Sequence, residues 1–356
     1  MANILVLGVK VPFVRGGQDA LMNSLCRELQ ARGHLVDTVE LPFQVPPRES
    51  LLSQSALWRC LDLSRFAGRE VDLVIATKYP SFYARHPRKS LWLVHQHRPA
   101  YDLYAGSFGD FTDSPEDEAL RRMIVHSDTQ VISECAYVSG ISRNVVRRLK
   151  EFNGISAEAL YPPLPMGNRY RCAESANYIL SVGRICGIKR VDLMLKALPI
   201  VHNHVKLKVA GSPDEPGVME YLKNEVDKHH LWERVEFVGR VDDETLLDLY
   251  ARALAVYYAP HDEDYGYVTL EAMASGKPVV TASDSGGVLE FVSHEESGLV
   301  VAPTIDAIGH AFNRLIEDPA GAQRMGEAGR RLIEESGLLE QGWQKVVSSL
   351  LSPLEA

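Results

Sequence analysis

The sequence alternates short apolar runs with amphipathic stretches from one end to the other, and this alternation occurs in two successive halves. Strands separated by helices pair in parallel, and the helices then cover both faces of the sheet. The pattern therefore predicts an α/β fold with doubly wound parallel sheets. Because 356 residues is long for one domain, we expect two such domains.

The candidate elements follow from the hydrophobic periodicity. Candidate strands of the first half are 3–9, 35–41, 72–77, 91–95 and 129–133. Candidate strands of the second half are 178–182, 205–210, 235–238, 254–259, 278–282 and 299–301. The candidate helices between them include 19–32, 191–201 and 246–252.

A proline-rich segment separates the halves, with Pro162, Pro163 and Pro165 in a run that neither a strand nor a helix can continue. We therefore expect an N-terminal domain over 1–165 and a C-terminal domain over 166–340. The remaining residues, 341–356, form a helical pattern that can pack back on the N-terminal domain. Ligands of doubly wound sheets bind outside the carboxyl ends of the strands, so the predicted site is the cleft that the two domains face.

Charge and composition argue against several classes of protein. Residues 1–170 hold 20 Lys and Arg against 18 Asp and Glu, whereas residues 171–356 hold 18 against 29. An acidic second half argues against a nucleic-acid partner, which usually meets a basic face. No apolar run reaches the length of a membrane span, and the N-terminus is typical of a first strand rather than a signal peptide. Five scattered cysteines without a CxxC pair favour reduced thiols, so we expect a cytoplasmic protein.

Two basic clusters lie in the first half, one over 85–89 and one formed by Arg143, Arg147, Arg148 and Lys150. A solvated surface explains them. A second interpretation is contact with an anionic membrane or a lipid-phosphate acceptor, which would place the protein peripherally at the inner face of the membrane. The sequence leaves both open.

The segment 263–271 carries the strongest chemical pattern. Glu263 lies in the loop after a candidate strand, and Glu271 lies in the first turns of the helix that follows. Gly266 stands where backbone amides at a helix N-terminus can approach a phosphate closely. Two carboxylates so placed can bind different parts of one ligand.

A second pattern, 182–190, lies at the end of the first candidate strand of the second half and contains Arg184 and Lys189. A phosphate group binds best where positive charge is fixed, and the arginine fork and the lysine ammonium supply such charge from one loop. These two residues are the candidate phosphate ligands.

Two further candidates lie in the first half. Gly16 and Gly17, after Arg15, permit close approach of a phosphate or a sugar, although they could simply form the turn that starts a helix. No GxGxxG is present, so a nicotinamide-binding fingerprint is excluded. His95 ends a candidate strand, where it can hydrogen-bond a sugar hydroxyl, and His97 is its rival for that role.

The nine-residue pattern resembles the E-x7-E motif of retaining glycosyltransferase family 4, with E-A-M-A-x-G-K-P-V-V and Gly286-Gly287-x-x-Glu290 behind it. The resemblance implies the GT-B fold, two Rossmann-like domains facing across a cleft, with the donor on the second. It implies that Glu263 contacts the donor sugar, that the backbone of Gly266, Tyr267 and Val268 holds the diphosphate, and that Glu271 binds the ribose. It further implies phosphate contacts by Arg184 and Lys189, base contacts near Arg240, a donor-facing loop at Gly16 and Gly17, and a catalytic His95.

Asp262, Glu263 and Asp264 also spell a DxD, the metal-binding signature of the other large glycosyltransferase fold. Two similar halves argue against that fold, and two basic side chains can replace a cation's charge. We therefore expect no metal and no cofactor.

The predicted function is retaining transfer of a hexose from a UDP- or GDP-sugar to an acceptor hydroxyl, in bacterial polysaccharide or glycoconjugate synthesis. The expected acceptor is a sugar, a polysaccharide or a lipid-linked sugar. Two alternatives stay open: a GT-B nucleotide-sugar epimerase, and a non-catalytic nucleotide-sugar-binding protein.

Overall fold

The computed structural model describes residues 1–12, 16–45, 47–66, 68–202, 205–339 and 342–355. The chain divides into two compact units. The first consists of Met1–Pro165 together with Gly342–Ala356, and the second of Met166–Gln341. Each is an α/β unit built around a parallel sheet, which confirms the predicted fold class.

The first unit contains a six-stranded parallel sheet in the order β2-β1-β5-β6-β7-β8, together with a separate antiparallel pair, β3 and β4. Its strands are β1 Asn3–Lys10, β2 Leu35–Pro42, β3 Arg65–Phe66, β4 Arg69–Glu70, β5 Leu73–Ala76, β6 Lys89–Leu93, β7 Tyr137–Gly140 and β8 Glu158–Ala159. Its helices are α1 Gly17–Ala31, α2 Ser50–Cys60, α3 Pro115–Ser133 and α4 Arg143–Asn153. Strands β5 and β6 are buried along their whole length, as expected for central parallel strands covered on both faces.

The second unit contains a six-stranded parallel sheet in the order β11-β10-β9-β12-β13-β14. Its strands are β9 Tyr178–Val182, β10 Lys206–Ala210, β11 Val235–Gly239, β12 Ala255–Tyr257, β13 Val279–Ala282 and β14 Gly298–Val301. Its helices are α5 Val191–Ala197, α6 Val218–Lys228, α7 Asp243–Arg252, α8 Tyr267–Ala274, α9 Ile305–Glu317 and α10 Pro319–Glu335. All six predicted strands of this half are present. The strand order reverses between β9 and β12, which is the switch point where such sheets bind ligands.

The last helix, α11 Gly342–Leu351, is part of the first unit. The hydroxyl of Ser90 in β6 donates to the carbonyl of Leu350 at 2.7 Å. The rings of Trp92 and Trp343 meet edge to face, with centroids 6.1 Å apart. A helix from the end of the chain therefore covers a central strand of the first sheet.

The predicted strand at 129–133 is wrong, because these residues form the last turns of α3. Ile124, Asp128, Val131 and Ile132 are buried on α3, at the spacing of one helical face. The apolar pair Val131 and Ile132 is short enough to fit either periodicity, so it gave a false strand signal.

The two basic clusters of the first half are not wholly surface features. Lys89 is 1% exposed, and its ammonium donates to the carbonyls of Phe82 at 2.8 Å and Ala84 at 3.1 Å. Arg148 is completely buried, with Nε 3.1 Å from the carboxylate of Asp102. Each cluster therefore contributes one cation to the interior of the first unit.

Candidate functional site

The carboxyl ends of β9 and β12 bring together Lys189, Tyr258 and Glu263 in the second unit. The Lys189 ammonium donates to the Tyr258 hydroxyl at 3.0 Å and forms a salt bridge with the Glu263 carboxylate. The side chains of Lys189 and Glu263 are 13% and 18% exposed. Burial acts to lower the pKa of Lys189, but the charge of Glu263 and the Tyr258 hydroxyl outweigh it and raise the pKa. The pair is therefore a fixed charged centre in a shielded position.

Backbone hydrogen bonds hold Glu263 in place. Its N–H donates to the carbonyl of Ser285 at 3.2 Å, and the N–H of Gly287 donates to the Glu263 carbonyl at 2.7 Å. The glycine pair predicted to accompany the motif thus lies directly beside it. Backbone hydrogen bonds consequently connect the loop after β12 to the loop after β13.

Arg184 lies in the same loop as Lys189 and forms a salt bridge with Asp214. Although 44% of the Arg184 side chain is exposed, partial desolvation acts to lower its pKa, whereas the charges of Asp214, Cys186 and Glu263 raise the pKa above its ordinary value. The charge of Glu263 therefore raises the pKa of both predicted phosphate ligands, Arg184 and Lys189. Sequence reasoning missed Asp214, although its place just after β10 was the available signal.

Gly266 precedes α8 in the left-handed conformation, with φ +86°. A Cβ here would lie 3.0 Å from the Tyr258 ring and 3.0 Å from the Val288 side chain, so glycine suits both the conformation and the space. Tyr267 and Val268 form the first turn of α8. The N-terminus of α8 is thus placed against Tyr258, and its partial positive charge suits an anion there.

Glu271 has a different set of partners from Glu263. The hydroxyl of Tyr250 in α7 donates to it at 2.7 Å, and the hydroxyl of Tyr170 donates to the other carboxylate oxygen at 3.3 Å. Burial raises the pKa of Glu271, and the two tyrosine hydrogen bonds partly offset the rise. Sequence reasoning missed both tyrosines.

Close backbone packing joins the ends of β9, β10 and β11. The N–H of Gly183 donates to the carbonyl of Ala210 at 3.0 Å, and the N–H of Gly211 donates to that of Gly239 at 2.8 Å. A Cβ on Gly211 would lie 1.8 Å from the carbonyl oxygen of Gly183. Arg240 follows Gly239 at this edge and is exposed.

Gly16 and Gly17 lie at the start of α1 in the first unit, and Arg15 is outside the described residues. The N–H of Gly16 donates to the carboxylate of Asp19 at 2.8 Å, and Lys10 donates to the same carboxylate at 3.0 Å. The turn at Gly16 is therefore stabilised by Asp19, which also pairs with Lys10 at the end of β1. Neither Lys10 nor Asp19 was a predicted site residue.

His95 and His97 differ in their surroundings. His95 is half-buried, and its Nδ1 lies 2.5 Å from the carbonyl oxygen of Gln96, so the neutral ring carries its proton on Nδ1. His97 is 8% exposed and packs against the rings of Phe43, Tyr79 and Phe111. Burial lowers the pKa of His97 to about 3, with smaller contributions from His95 and Lys78. His97 has the surroundings of a core residue.

The described residues show two absences. Within them, no group of three or more His, Cys, Asp or Glu side chains is placed to hold a metal ion. Nor does any helix in the described part of the chain have the length and apolar character needed to cross a bilayer.

Two comparisons with solved structures define the class of fold. Sucrose-phosphate synthase from Thermosynechococcus elongatus superposes with a TM-score of 0.79 at 18% identity, covering 99% of both chains. Anabaena HepE in complex with UDP and glucose superposes with a TM-score of 0.73 at 18% identity, covering 99% of this chain and 100% of that one. The fold is that of the GT-B glycosyltransferases, as the sequence motifs predicted.

Sequence comparison gives the family. The family model described as glycosyl transferases group 1 matches residues 168–332. The human alpha-1,3/1,6-mannosyltransferase is 30% identical over 312 residues, covering 76% of this chain and 70% of that protein. The chain belongs to the group 1 glycosyltransferases.

The match to some relatives is shorter. A glycosyltransferase of Methanocaldococcus jannaschii is 38% identical over 143 residues, covering 39% of this chain and 36% of that protein.

Proposed function

We propose that the protein transfers a hexose from a UDP- or GDP-sugar to an acceptor hydroxyl, with retention of the anomeric configuration, as a member of glycosyltransferase family 4. The observation that carries the proposal is the contact of Lys189 with both Glu263 and Tyr258, beside the N-terminus of α8. Positive charge, a carboxylate and a helix N-terminus are what a departing nucleoside diphosphate and its sugar require.

The diphosphate binds Arg184, Lys189 and the backbone N–H groups of Gly266, Tyr267 and Val268. An ammonium group has three protons, so Lys189 can donate to a phosphate oxygen without releasing Glu263. Glu263 then faces the sugar and orients it at the reacting carbon. Fixed charge supplied before the reaction stabilises the leaving group without reorganisation, which is usually the largest single contribution of a site to catalysis.

The nucleoside binds farther along the same surface. Glu271 accepts hydrogen bonds from the ribose hydroxyls, since a carboxylate has enough lone pairs to keep Tyr250 and Tyr170 as well. The backbone near Arg240 contacts the base. Because Arg184 and Lys189 supply the charge that a cation would give, the proposed reaction needs no metal and no cofactor.

The first unit binds the acceptor, and Gly16, Gly17 and His95 contribute to the reacting centre. The acceptor is a sugar, a polysaccharide or a lipid-linked sugar, and the setting is polysaccharide or glycoconjugate synthesis in the cytoplasm. The exposed residues of the two basic clusters, which exclude the buried Lys89 and Arg148, support peripheral contact with an anionic membrane. The related mannosyltransferase and the HepE complex with UDP and glucose support a nucleotide-sugar donor.

The first test is a thermal-shift panel of UDP, GDP, ADP and their sugar conjugates, with and without EDTA. A ligand that binds only the folded protein raises the melting temperature. We expect UDP or GDP compounds to act in the presence of EDTA. A shift that requires a divalent cation would indicate that the DxD segment, 262–264, binds a metal ion. The absence of any shift at saturating nucleotide would exclude the proposed donor site.

The second test follows the sugar itself. With the donor so identified, we expect a glycosylated product only when an acceptor is present, and an α-linked donor to give an α-linked product. Conversion of the donor sugar to its epimer without an acceptor would indicate an epimerase. Glu263→Gln should lower transfer about 100-fold because it removes the negative charge that faces the sugar and pairs with Lys189. Glu295→Gln, at an exposed glutamate paired with Arg314, is the matched control.

A further inference from the structure

Arg190 follows Lys189 directly, in a backbone conformation that a side chain rarely adopts. Its φ is +51° and its ψ +40°, in the left-handed region where glycine has no steric cost. A turn alone would favour glycine here. The arginine side chain therefore has a role that offsets the strained backbone.

The guanidinium of Arg190 contacts the start of the loop that contains Glu263 and the neighbouring loop that follows β13. Its Nε donates to the carbonyl of Ala259 at 2.8 Å, and Nη2 donates to that of Pro260 at 2.7 Å. Nη1 and Nη2 also donate to the two carboxylate oxygens of Asp284, at 3.0 and 2.7 Å respectively. One side chain thus joins the loops that follow β9, β12 and β13.

The backbone of Arg190 is held as well. The buried hydroxyl of Tyr257 donates to the Arg190 carbonyl at 2.8 Å. Asp284 in turn accepts a backbone hydrogen bond from Asp262 at 2.8 Å, one residue before Glu263. The side chain of Arg190 is 13% exposed, so water competes little with these bonds.

We infer that Arg190 and Asp284 are positioning residues, which fix the distance between Lys189 and Glu263 and so prepare the phosphate-binding loop. Lysine cannot replace the arginine, because an ammonium lacks the planar fork that serves two carbonyls and a carboxylate at once. The inference rests on the proposed function for its ligand, a nucleoside diphosphate, but not for its effect on Lys189.

The experiment compares Arg190→Lys with Arg234→Lys. Arg234 is a matched control, because it also donates to backbone carbonyls, including those of Val201 at 3.1 Å and His202 at 2.9 Å. It precedes β11 at the amino end of the sheet, away from Lys189. Arg190→Gly and Asp284→Asn are companion variants: glycine removes the backbone strain together with the side chain, and asparagine keeps the shape of Asp284 without its charge.

Two measurements are made on each folded protein. The first is calorimetric affinity for UDP and UMP, or for the GDP and GMP pair if guanine is preferred. We expect Arg190→Lys to weaken binding of the diphosphate about tenfold and that of the monophosphate far less, since Lys189 acts on the diphosphate. The second is the rate of amine labelling of Lys189 by acetic anhydride, read by mass spectrometry. We expect about a tenfold faster rate in the Arg190 and Asp284 variants and no change in Arg234→Lys.

The outcomes separate the two proposals. Unchanged labelling of Lys189 in Arg190→Lys, Arg190→Gly and Asp284→Asn would overturn the inference. Equal acceleration in Arg234→Lys would also overturn it, because general loosening would then explain the effect. If labelling responds as expected but the native protein binds no nucleotide, the positioning role is supported and the proposed function is contradicted.

Discussion

The hydroxyl of Tyr250 lies 2.7 Å from one carboxylate oxygen of Glu271, while that of Tyr170 lies 3.3 Å from the other. Tyr250 is fully buried, and it reaches Glu271 from a different helix. The two tyrosines set the orientation of a carboxylate that would otherwise be free to rotate. The ribose recognition that we propose for Glu271 depends on that orientation.

Tyr250→Phe is expected to weaken nucleotide binding several-fold, because Glu271 loses its shorter hydrogen bond. It should also lower the free energy of unfolding by about 1 kcal/mol, the usual net value of one such bond. Tyr178→Phe is the control, since the Tyr178 hydroxyl donates to the carbonyl of Leu249 at 2.6 Å and does not touch Glu271. Calorimetry and urea unfolding measure the two effects, and equal loss of affinity in both variants would contradict the prediction.

The ion pair of Lys189 predicts a loss of stability in alkali. The folded-state pKa of Lys189 is raised above its ordinary value of 10.5. Its contribution is therefore complete below 10.5 and is lost as the pH rises from 10.5 through the raised pKa of the folded protein. Lys189→Arg should remove this part of the decline, since the guanidinium stays protonated throughout the range. Urea unfolding between about pH 9 and about pH 11.5 tests the difference, and superimposable curves would count against it.

Asp128 and His97, both buried in the first unit, should change its stability in opposite directions with pH. Burial raises the pKa of Asp128 to about 7, although the hydroxyls of Tyr83 and Tyr101 donate to its carboxylate. Its stabilising effect is therefore complete below its ordinary pKa of 3.8 and falls as the pH rises toward 7. The pKa of His97 is lowered from 6.5 to about 3, so its effect is complete above 6.5 and is lost as the pH falls.

These two effects partly cancel in the native protein between about pH 4 and about pH 6.5. Asp128→Asn should leave only the His97 effect, so that stability rises with pH over this interval. His97→Gln should leave only the Asp128 effect, so that stability falls. Thermal unfolding across the interval distinguishes them, and parallel profiles for the two variants would refute the assignment.

Gly211→Ala should be among the more damaging alanine substitutions in the second unit. The new Cβ would meet the carbonyl oxygen of Gly183 at 1.8 Å, so β9 and β10 would have to move apart. We expect a loss of about 3 kcal/mol in the free energy of unfolding. Gly33→Ala is the control, because Gly33 also has a positive φ of +84° but no heavy atom within 4 Å of the added Cβ. It should cost about 1 kcal/mol, and an equal loss in both variants would mean that strain alone accounts for the effect.

The fold could be predicted from sequence, and so could the placement of Lys189 and Glu263 at the ends of strands, because the signals for both are local. The salt bridge between the two residues was not predicted. Each strand of the second unit is a short apolar run between polar segments, and Lys189 and Glu263 each follow such a run. Since carboxyl ends of parallel strands meet at one edge of a sheet, residues distant in sequence could be placed together without knowing any contact.

The residues that hold the predicted site residues in place, such as Tyr170 and Tyr250, gave no such signal. Tyr170 and Glu271 are 101 positions apart, and Arg184 and Asp214 are 30 apart, with no periodicity linking either pair. Burial of single cations was equally hidden, because Lys89 and Arg148 stand among other basic residues. Their surroundings are decided by tertiary packing, which the order of residues does not display.

The helix from Gly342 to Leu351 has a consequence for the order in which the protein is made. It covers a central strand of the first sheet, yet the ribosome synthesises it after the whole of the second unit. The first unit therefore remains incomplete, with part of its interior uncovered, while the second is already available to fold. Among the described residues, those that finish the first unit leave the ribosome last.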